Sequence, residues 1–509
     1  DGSLYIAVGG RGTRGGVYRV RSTQSPPVEL PPVEKQTSPL QKMMLCLQSP
    51  QPLSSWSRRR WEPLADAIGG EPFVRAAFEE RRAVPERIRA IEILTEKFGG
   101  LTTDMAQQLS ATTSTDVRAR IAWSLGRTQT KQPPAALMSR LLIDPDPLVV
   151  RTALEALQGA EPQAFTSLTT PLAQQLGHQD AFVRQMAVRL LALVDEDSYH
   201  TIAAAAIPRG WPAAVPVAEG FTLRKPGFNA YAIDIGTRVL SGKNPMPLKY
   251  DAARLIEIGL GDLTPDNLSG GAVFEAYTAK IDLAEPERAA ALEPFKTRLL
   301  PLFPTGDPAV DRELVRILAM LQPDDEALRG RLLAAITPDS HPTDDLHLLI
   351  ALARLPGPRS ELQQQKTGAA LLAIDRKVQD RHLRQDLHWN DRLLELYAAL
   401  AERDPGLPAS LLAQPEFGRP AHVQFVSSMP PERFGDAIKL FVGKVRADEN
   451  YQWDPDVIFL LGASDDPDVR NMLRSRFDDY TLRNAILMTL SQQPSEIDRP
   501  LFVEGLEGT

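Results

Sequence analysis

The sequence predicts an all-α fold, an α-solenoid of stacked helical hairpins preceded by one short β-hairpin. Three observations carry that prediction. A β-branched residue followed by Arg recurs at Ile88-Arg89, Val117-Arg118, Val150-Arg151 and Val183-Arg184, with the arginines 29, 33 and 33 residues apart. A fixed period in this range marks a repeat array. Leu- and Ala-rich runs recur while aromatic residues make up only 6%, a bias towards helices over sheets. Finally, 509 residues are more than one hydrophobic core organises, so the chain is either multidomain or an extended array.

The chain opens differently from how it continues. Leu4 to Val8 and Val17 to Arg21 are rich in Val, Ile and Tyr and flank "GGRGTRGG", which has the composition of a turn needing positive φ. These glycines lack the Lys-Ser/Thr and the helix start of a phosphate-binding loop, so residues 1–21 read as a hairpin. A lone hairpin is marginal and needs further strands or a helical face. "STQSPPVELPPVEKQTSP" follows. Each Pro disfavours helix at the residue before it, and residues 22–52 read as an extended linker. From 53 to 509 helical periodicity takes over, clearest over 85–195. The Pro/Gly-rich "RGWPAAVPVAEGFTLRKPGFN" reads as an irregular insertion at about 200–250.

The recurring unit has a physical logic. Ser114, Asp180, Asp307 and Asp466 each stand three residues before a Val, where a side-chain oxygen can accept from the free N–H groups of a helix start. Pro308 and Pro467 come next, at the first helical position, where a missing N–H costs nothing. Val183, Ala187, Leu191 and Val194 fall on one helical face, and the small Ala187 admits a neighbouring helix. Val469-Arg470 restores the pattern late in the chain, and Asp311 stands in place of Arg in "TGDPAVDRELVRILAML". Each Arg is expected at the seam between repeats, and Asp146 in the preceding turn is the candidate partner of Arg184. A second amphipathic run between successive motifs, such as "ALMSRLLI", completes two helices per repeat.

This pattern resembles the HEAT family, in the short variant also seen in phycobilisome-lyase-like proteins. The match to Asp-x-x-Val-Arg-x-x-Ala is complete at Asp180, Val183, Arg184 and Ala187. The order of a β ending, a Pro-rich tether, "PLSSWSRRRWEPL" and helical repeats further resembles secreted planctomycete-type proteins described as membrane-bound dehydrogenases. In that family a β-propeller precedes the helices and a c-type cytochrome follows. The resemblance implies that residues 1–21 are the last strands of a propeller. It also implies that the segment is a fragment of a periplasmic or secreted redox protein, with the active site and haem c elsewhere. The segment itself is then a non-catalytic scaffold, or the spacer of such an enzyme, whose partners are proteins or neighbouring domains of the same polypeptide.

Composition narrows the function further. A formal net charge of −8 argues against a nucleic-acid binder, and no apolar run reaches membrane-span length. The single Cys46 excludes an internal disulfide or a CxxCH haem site in the segment. Trp56, Arg58, Arg59, Arg60 and Trp61 form the strongest basic-aromatic cluster. They are a candidate grip for an acidic partner, but read better as an amphipathic first helix with Trp inside and Arg reaching outward. His341, Asp344, Asp345 and His347, and His382, Asp386 and His388, lack the spacing of a helical zinc site. The Asp-rich turns lack a calcium loop's central Gly and terminal Glu and read as helix caps. No catalytic constellation, cofactor or metal site is expected in this segment.

Overall fold

The computed structural model describes residues 4–9, 15–21, 23, 38–49, 54–128, 131–261, 274, 276–283 and 285–507. Among these residues lie 28 α-helices and one two-stranded sheet. The chain divides into two compact units, the first ending at Gly261.

In the first unit β1 (Leu4–Val8) and β2 (Gly16–Val20) pair antiparallel, with Ile6 opposite Tyr18. Most of the expected turn and most of the expected linker lie outside the described residues. The linker assignment is corrected at its end, where α1 (Pro39–Leu47) begins. Ser38 and Gln41 form a reciprocal capping box and Pro39 takes the first turn. Met43, Cys46 and Leu47 then join the core, which is reason enough for a short helix after a Pro-rich stretch.

The first unit continues with α2 (Ser55–Ile68), α3 (Glu71–Phe78), α4 (Val84–Lys97), α5 (Thr103–Leu109), α6 (Thr115–Arg127), α7 (Ala135–Leu142) and α8 (Pro147–Ala156). After these come α9 (Pro162–Thr166), α10 (Thr169–Gln175), α11 (Ala181–Leu193), α12 (Glu196–Ala206), α13 (Trp211–Arg224), α14 (Ala230–Ser241) and α15 (Met246–Gly259). The chain α4, α6, α8, α11, α13, α15 forms one row, each helix packed on the next. Helices α7, α10 and α12 form a second row beside it. One continuous core runs from Met43 to Val217, as expected when each hairpin buries its apolar face on its neighbours.

The insertion expected at about 200–250 is also corrected, because α12 to α15 carry the paired-helix pattern through it. Pro212 sits in the first turn of α13, where its missing N–H is harmless, and Gly210 turns the chain ahead of it at φ 99°. Pro216 lies inside α13 but is buried among Val215 and Val217, so packing outweighs its lost hydrogen bond. Gly236 lets α14 and α15 approach closely; a Cβ there would stand 2.5 Å from Ile256 and 2.7 Å from the Ala252 carbonyl.

The second unit holds α16 (Pro286–Leu299), α17 (Pro308–Leu321), α18 (Glu326–Ala335), α19 (Pro342–Arg354), α20 (Glu361–Asp380), α21 (Trp389–Arg403) and α22 (Leu407–Leu412). It ends with α23 (Val423–Val426), α24 (Phe434–Ala447), α25 (Pro455–Gly462), α26 (Pro467–Arg474), α27 (Arg483–Ser491) and α28 (Arg499–Glu507). Helices α17, α19, α21, α23, α25 and α27 make one row, and α18, α20, α22 and α24 the other. Of this second row α20 is the long member at 20 residues, flanked by α18 with 10 and α22 with 6. That mismatch leaves part of α20 uncovered.

Candidate interaction site

The repeat motif is a turn-closing device. Ser114, Asp146, Asp180, Asp307 and Asp466 are all N-caps whose side chains accept from backbone N–H groups. Two residues earlier, Thr112, Asp144, His178, Thr305 and Ser464 each accept from the N–H of the cap itself. Val117, Val150, Val183 and Val469 are buried, as is Ala187. The following Arg reaches back over its own turn: Arg118 donates to the carbonyls of Thr112 and Thr113, and Arg184 to those of His178 and Gln179. Asp311 closes the same turn with opposite polarity, accepting from the Thr305 N–H at 2.6 Å.

The second arm of each Arg bridges helices. Arg118 holds Asp144. The proposed Arg184–Asp146 pair is corrected: Arg184 instead reaches Asp251 on α15 at 2.8 Å, while Asp146 is spent on capping α8. Arg151 has no side-chain partner among the described residues: it stands five residues after its cap Asp146, one beyond the place that Arg118 and Arg184 take after theirs, and the buried Val150 fills that place. Arg470 joins Arg474 on the buried Asp498.

The basic-aromatic cluster lies on α2. Trp61 is fully buried beneath the Arg89 guanidinium, 4.4 Å from its ring centre. Arg58 pairs with Glu62 and Glu96, Arg59 is exposed and Arg60 half-buried. The side chain of Trp56 lies outside the described part of the structure. Cys46 is buried next to this helix, its thiol pushed up to about 12 by burial. The histidine-rich stretches are dispersed into structural roles. His341 caps α19, and His347 meets the Tyr277 hydroxyl at 2.6 Å, its ring lowered to about 4 by burial and by Arg316. Asp344 pairs with Arg312 and Asp345 with Lys377. Asp386 accepts from the His388 N–H, and His382 takes a positive φ of 50°. Among the described residues no three His, Cys, Asp or Glu side chains gather as a metal cluster. No helix among them is long and apolar enough to cross a membrane.

The structure opens a groove where no motif points, between α18 and α20. These helices run parallel: Gln363 donates to the Glu326 carbonyl at one end, and Lys377 bonds Ser340 at 2.9 Å at the other. One stretch of the groove, about 450 Å³, has Ile336, Ala369, Ala370 and Ala373 among its walls, with Lys366 and Arg376 at the rim. A second stretch of about 550 Å³ continues from it through the shared Leu333 and Lys366 to Gly330, Leu362, Asp325 and Glu326. Small side chains make the space. Ala327 and Ala334 are exposed on α18, Ala369 on α20, and Leu362 stands 60% exposed. Beneath the basic end, the buried Lys377–Asp345 pair, braced by Ser340 at 2.5 Å from Asp345, fixes the C-terminal half of α20 on α19. Lys366 and Arg376 make no ion pair among the described residues.

Two further clefts differ in chemistry. Arg419, paired with Asp375 at 2.9 Å, separates the groove from a polar cleft of about 320 Å³ that includes Trp389, Trp453 and Asp454. In the first unit, α11, α13 and α15 enclose about 260 Å³ around Arg184, Glu219, Asp251 and Arg254. Glu219 has no hydrogen-bond partner among the described residues. Burial, then the nearby Asp251, push its carboxyl up to about 6 against the pull of Arg184 and Arg254.

Residues 102–192, spanning α5 to α11, match the family of HEAT repeats. The chain is thus an α-solenoid that carries HEAT repeats over that stretch. No curated protein matches it. Among solved structures it is similar to importin beta in an ammonium sulfate condition, at 11% identity and a TM-score of 0.41 over 92% of this chain and 74% of that one. It is also similar to a mutant of Kap121p, at 12% identity and a TM-score of 0.36 over 90% and 56%. An engineered protein gives 13% identity and a TM-score of 0.32 over 76% and 98%. Helix pairing and the family match define the class.

Proposed function

We propose that this chain is a non-catalytic scaffold that docks protein partners. The observation that carries this reading is the α18–α20 groove, an apolar trough between two exposed stripes of small side chains with charges at its rims. Stacked helical repeats offer extended surfaces to partners, and amphipathic segments bury their apolar side in such grooves. The test compares the native chain with Gly330→Phe, which fills the trough. A Cβ at Gly330 meets open space, so the new side chain starts outside the core. A partner purified with the native chain should lose at least tenfold in affinity for the variant; undiminished binding overturns the reading. Dye-linked dehydrogenase turnover on sugars by this chain alone overturns its non-catalytic part.

A second reading, the spacer of a secreted propeller–cytochrome redox protein, has one observation in its favour. Leu4, Ile6 and Val8 on β1 and Tyr18 and Val20 on β2 share one face and are all exposed, an apolar face that asks for packing against further structure. Sequencing the gene on either side tests it: propeller blades upstream and a CxxCH downstream support it, and their absence removes it.

A further inference from the structure

We infer that the α18–α20 groove receives one amphipathic helix of a partner protein, lying antiparallel to both helices with its acidic end at Arg376. The inference rests on the docking reading above and deepens it. Gly330 supplies the first argument. A glycine inside a helix costs about 1 kcal/mol relative to alanine, yet nothing outside its own helical turn lies within 4 Å of where its Cβ would be, as also at Gly435 and Gly443 of α24. The fold does not need that gap, whereas an incoming helix does. From Leu362 to Arg376 the exposed side of α20 spans about 21 Å at 1.5 Å per residue, the length of a four-turn helix. Alanines at 327, 334, 369 and 373 let its backbone come close, while the exposed Leu362 meets its apolar stripe over the buried Leu333.

The ends of the groove decide the occupant's direction. Asp325 and Glu326 stand at one end and Arg376 at the other, where Glu416 also lines the wall, while Lys366 borders both stretches; neither Lys366 nor Arg376 has a carboxylate partner among the described residues. An acyl chain with an anionic head has one charged end and would leave the acidic end unused. A helix with glutamates in its first turns and lysines in its last matches both ends when it runs antiparallel. Its macrodipole is then also opposed to those of α18 and α20, the favourable arrangement. Full side-chain charges and half-charges at helix termini therefore point the same way.

The test uses the full chain and an 18-residue stapled peptide with a Leu/Ala stripe, glutamates in the first two turns and lysines in the last two. Stapling keeps a control in which every Glu and Lys is Gln equally helical. By fluorescence anisotropy the charged peptide should bind at least tenfold more tightly than the control. It should lose at least tenfold in affinity against Gly330→Phe and against Lys366→Glu/Arg376→Glu, the second pair serving should the first variant fold poorly. A benzoylphenylalanine near the peptide's N-terminus should cross-link to the stretch containing Ala373 and Arg376. Cross-links to Glu326 or Leu362, equal binding of the control, or competition by phosphatidylserine vesicles overturn the inference. So does self-association of the chain that Gly330→Phe abolishes. If no peptide binds while a whole partner still discriminates against Gly330→Phe, the helix inference falls and the docking reading stands.

Discussion

Arg118 holds Asp144 through two parallel N–H···O bonds of 2.7 and 3.0 Å, one repeat reaching into the turn that starts the next. Both side chains are mostly shielded, at 13% and 9% exposure, so water competes weakly with the fork-to-carboxylate geometry. A double-mutant cycle on Arg118→Ala and Asp144→Ala should show coupling of about 1–2 kcal/mol in chemical denaturation. Arg151→Ala, by contrast, should cost less than about 0.5 kcal/mol. The difference follows from register, since Val150 and not Arg151 holds the place after Asp146 that Arg118 holds after Ser114. A cost for Arg151→Ala equal to that of Arg118→Ala would overturn that register.

Asp498 is fully shielded and receives Arg470 at 3.1 Å, Arg474 at 2.7 Å and the Ser495 backbone N–H at 2.9 Å. Burial alone would raise its carboxyl, but the bonds from Arg474 and Ser495 outweigh that and hold it at about 2. A carboxyl depressed on folding adds stability above its unfolded value near 3.8 and loses it as pH falls towards 2. Asp498→Asn should therefore cost about 2–3 kcal/mol at pH 7, with the gap to the native chain narrowing below pH 4.

Glu219 has the opposite sign. Raised to about 6 by burial, it makes its most favourable contribution below pH 4.5 and costs the fold up to about 2 kcal/mol as pH rises through 6. Glu219→Gln, which keeps the shape and removes the charge, should raise the unfolding midpoint at pH 8 and leave it unchanged near pH 4. Equal effects at both pH values would show that the carboxylate is not the destabilising group.

Two helix glycines should respond oppositely to the same change. Gly236→Ala drives a methyl against Ile256 and the Ala252 carbonyl and should cost about 1–3 kcal/mol. Gly330→Ala meets nothing and should stabilise by about 0.5–1 kcal/mol through helix propensity alone. Thermal unfolding of the two variants separates packing from propensity.

Local signals alone determined the helical class, the repeat period and the caps. Asp180, Val183 and Arg184 are legible because capping, burial and turn closure each act within six residues. Pro39 and Pro212 misled only where proline was taken as a breaker and not as a first-turn residue. Tertiary structure alone decided what the second arm of each Arg would find. Arg184 passes over Asp146 for Asp251, 67 residues away, and no period predicts a partner that depends on how rows stack. The groove was illegible for the same reason. Gly330, Leu362, Ala373 and Arg376 belong to no motif, and their meaning comes from the differing lengths of α18, α20 and α22, which leave one helix face uncovered.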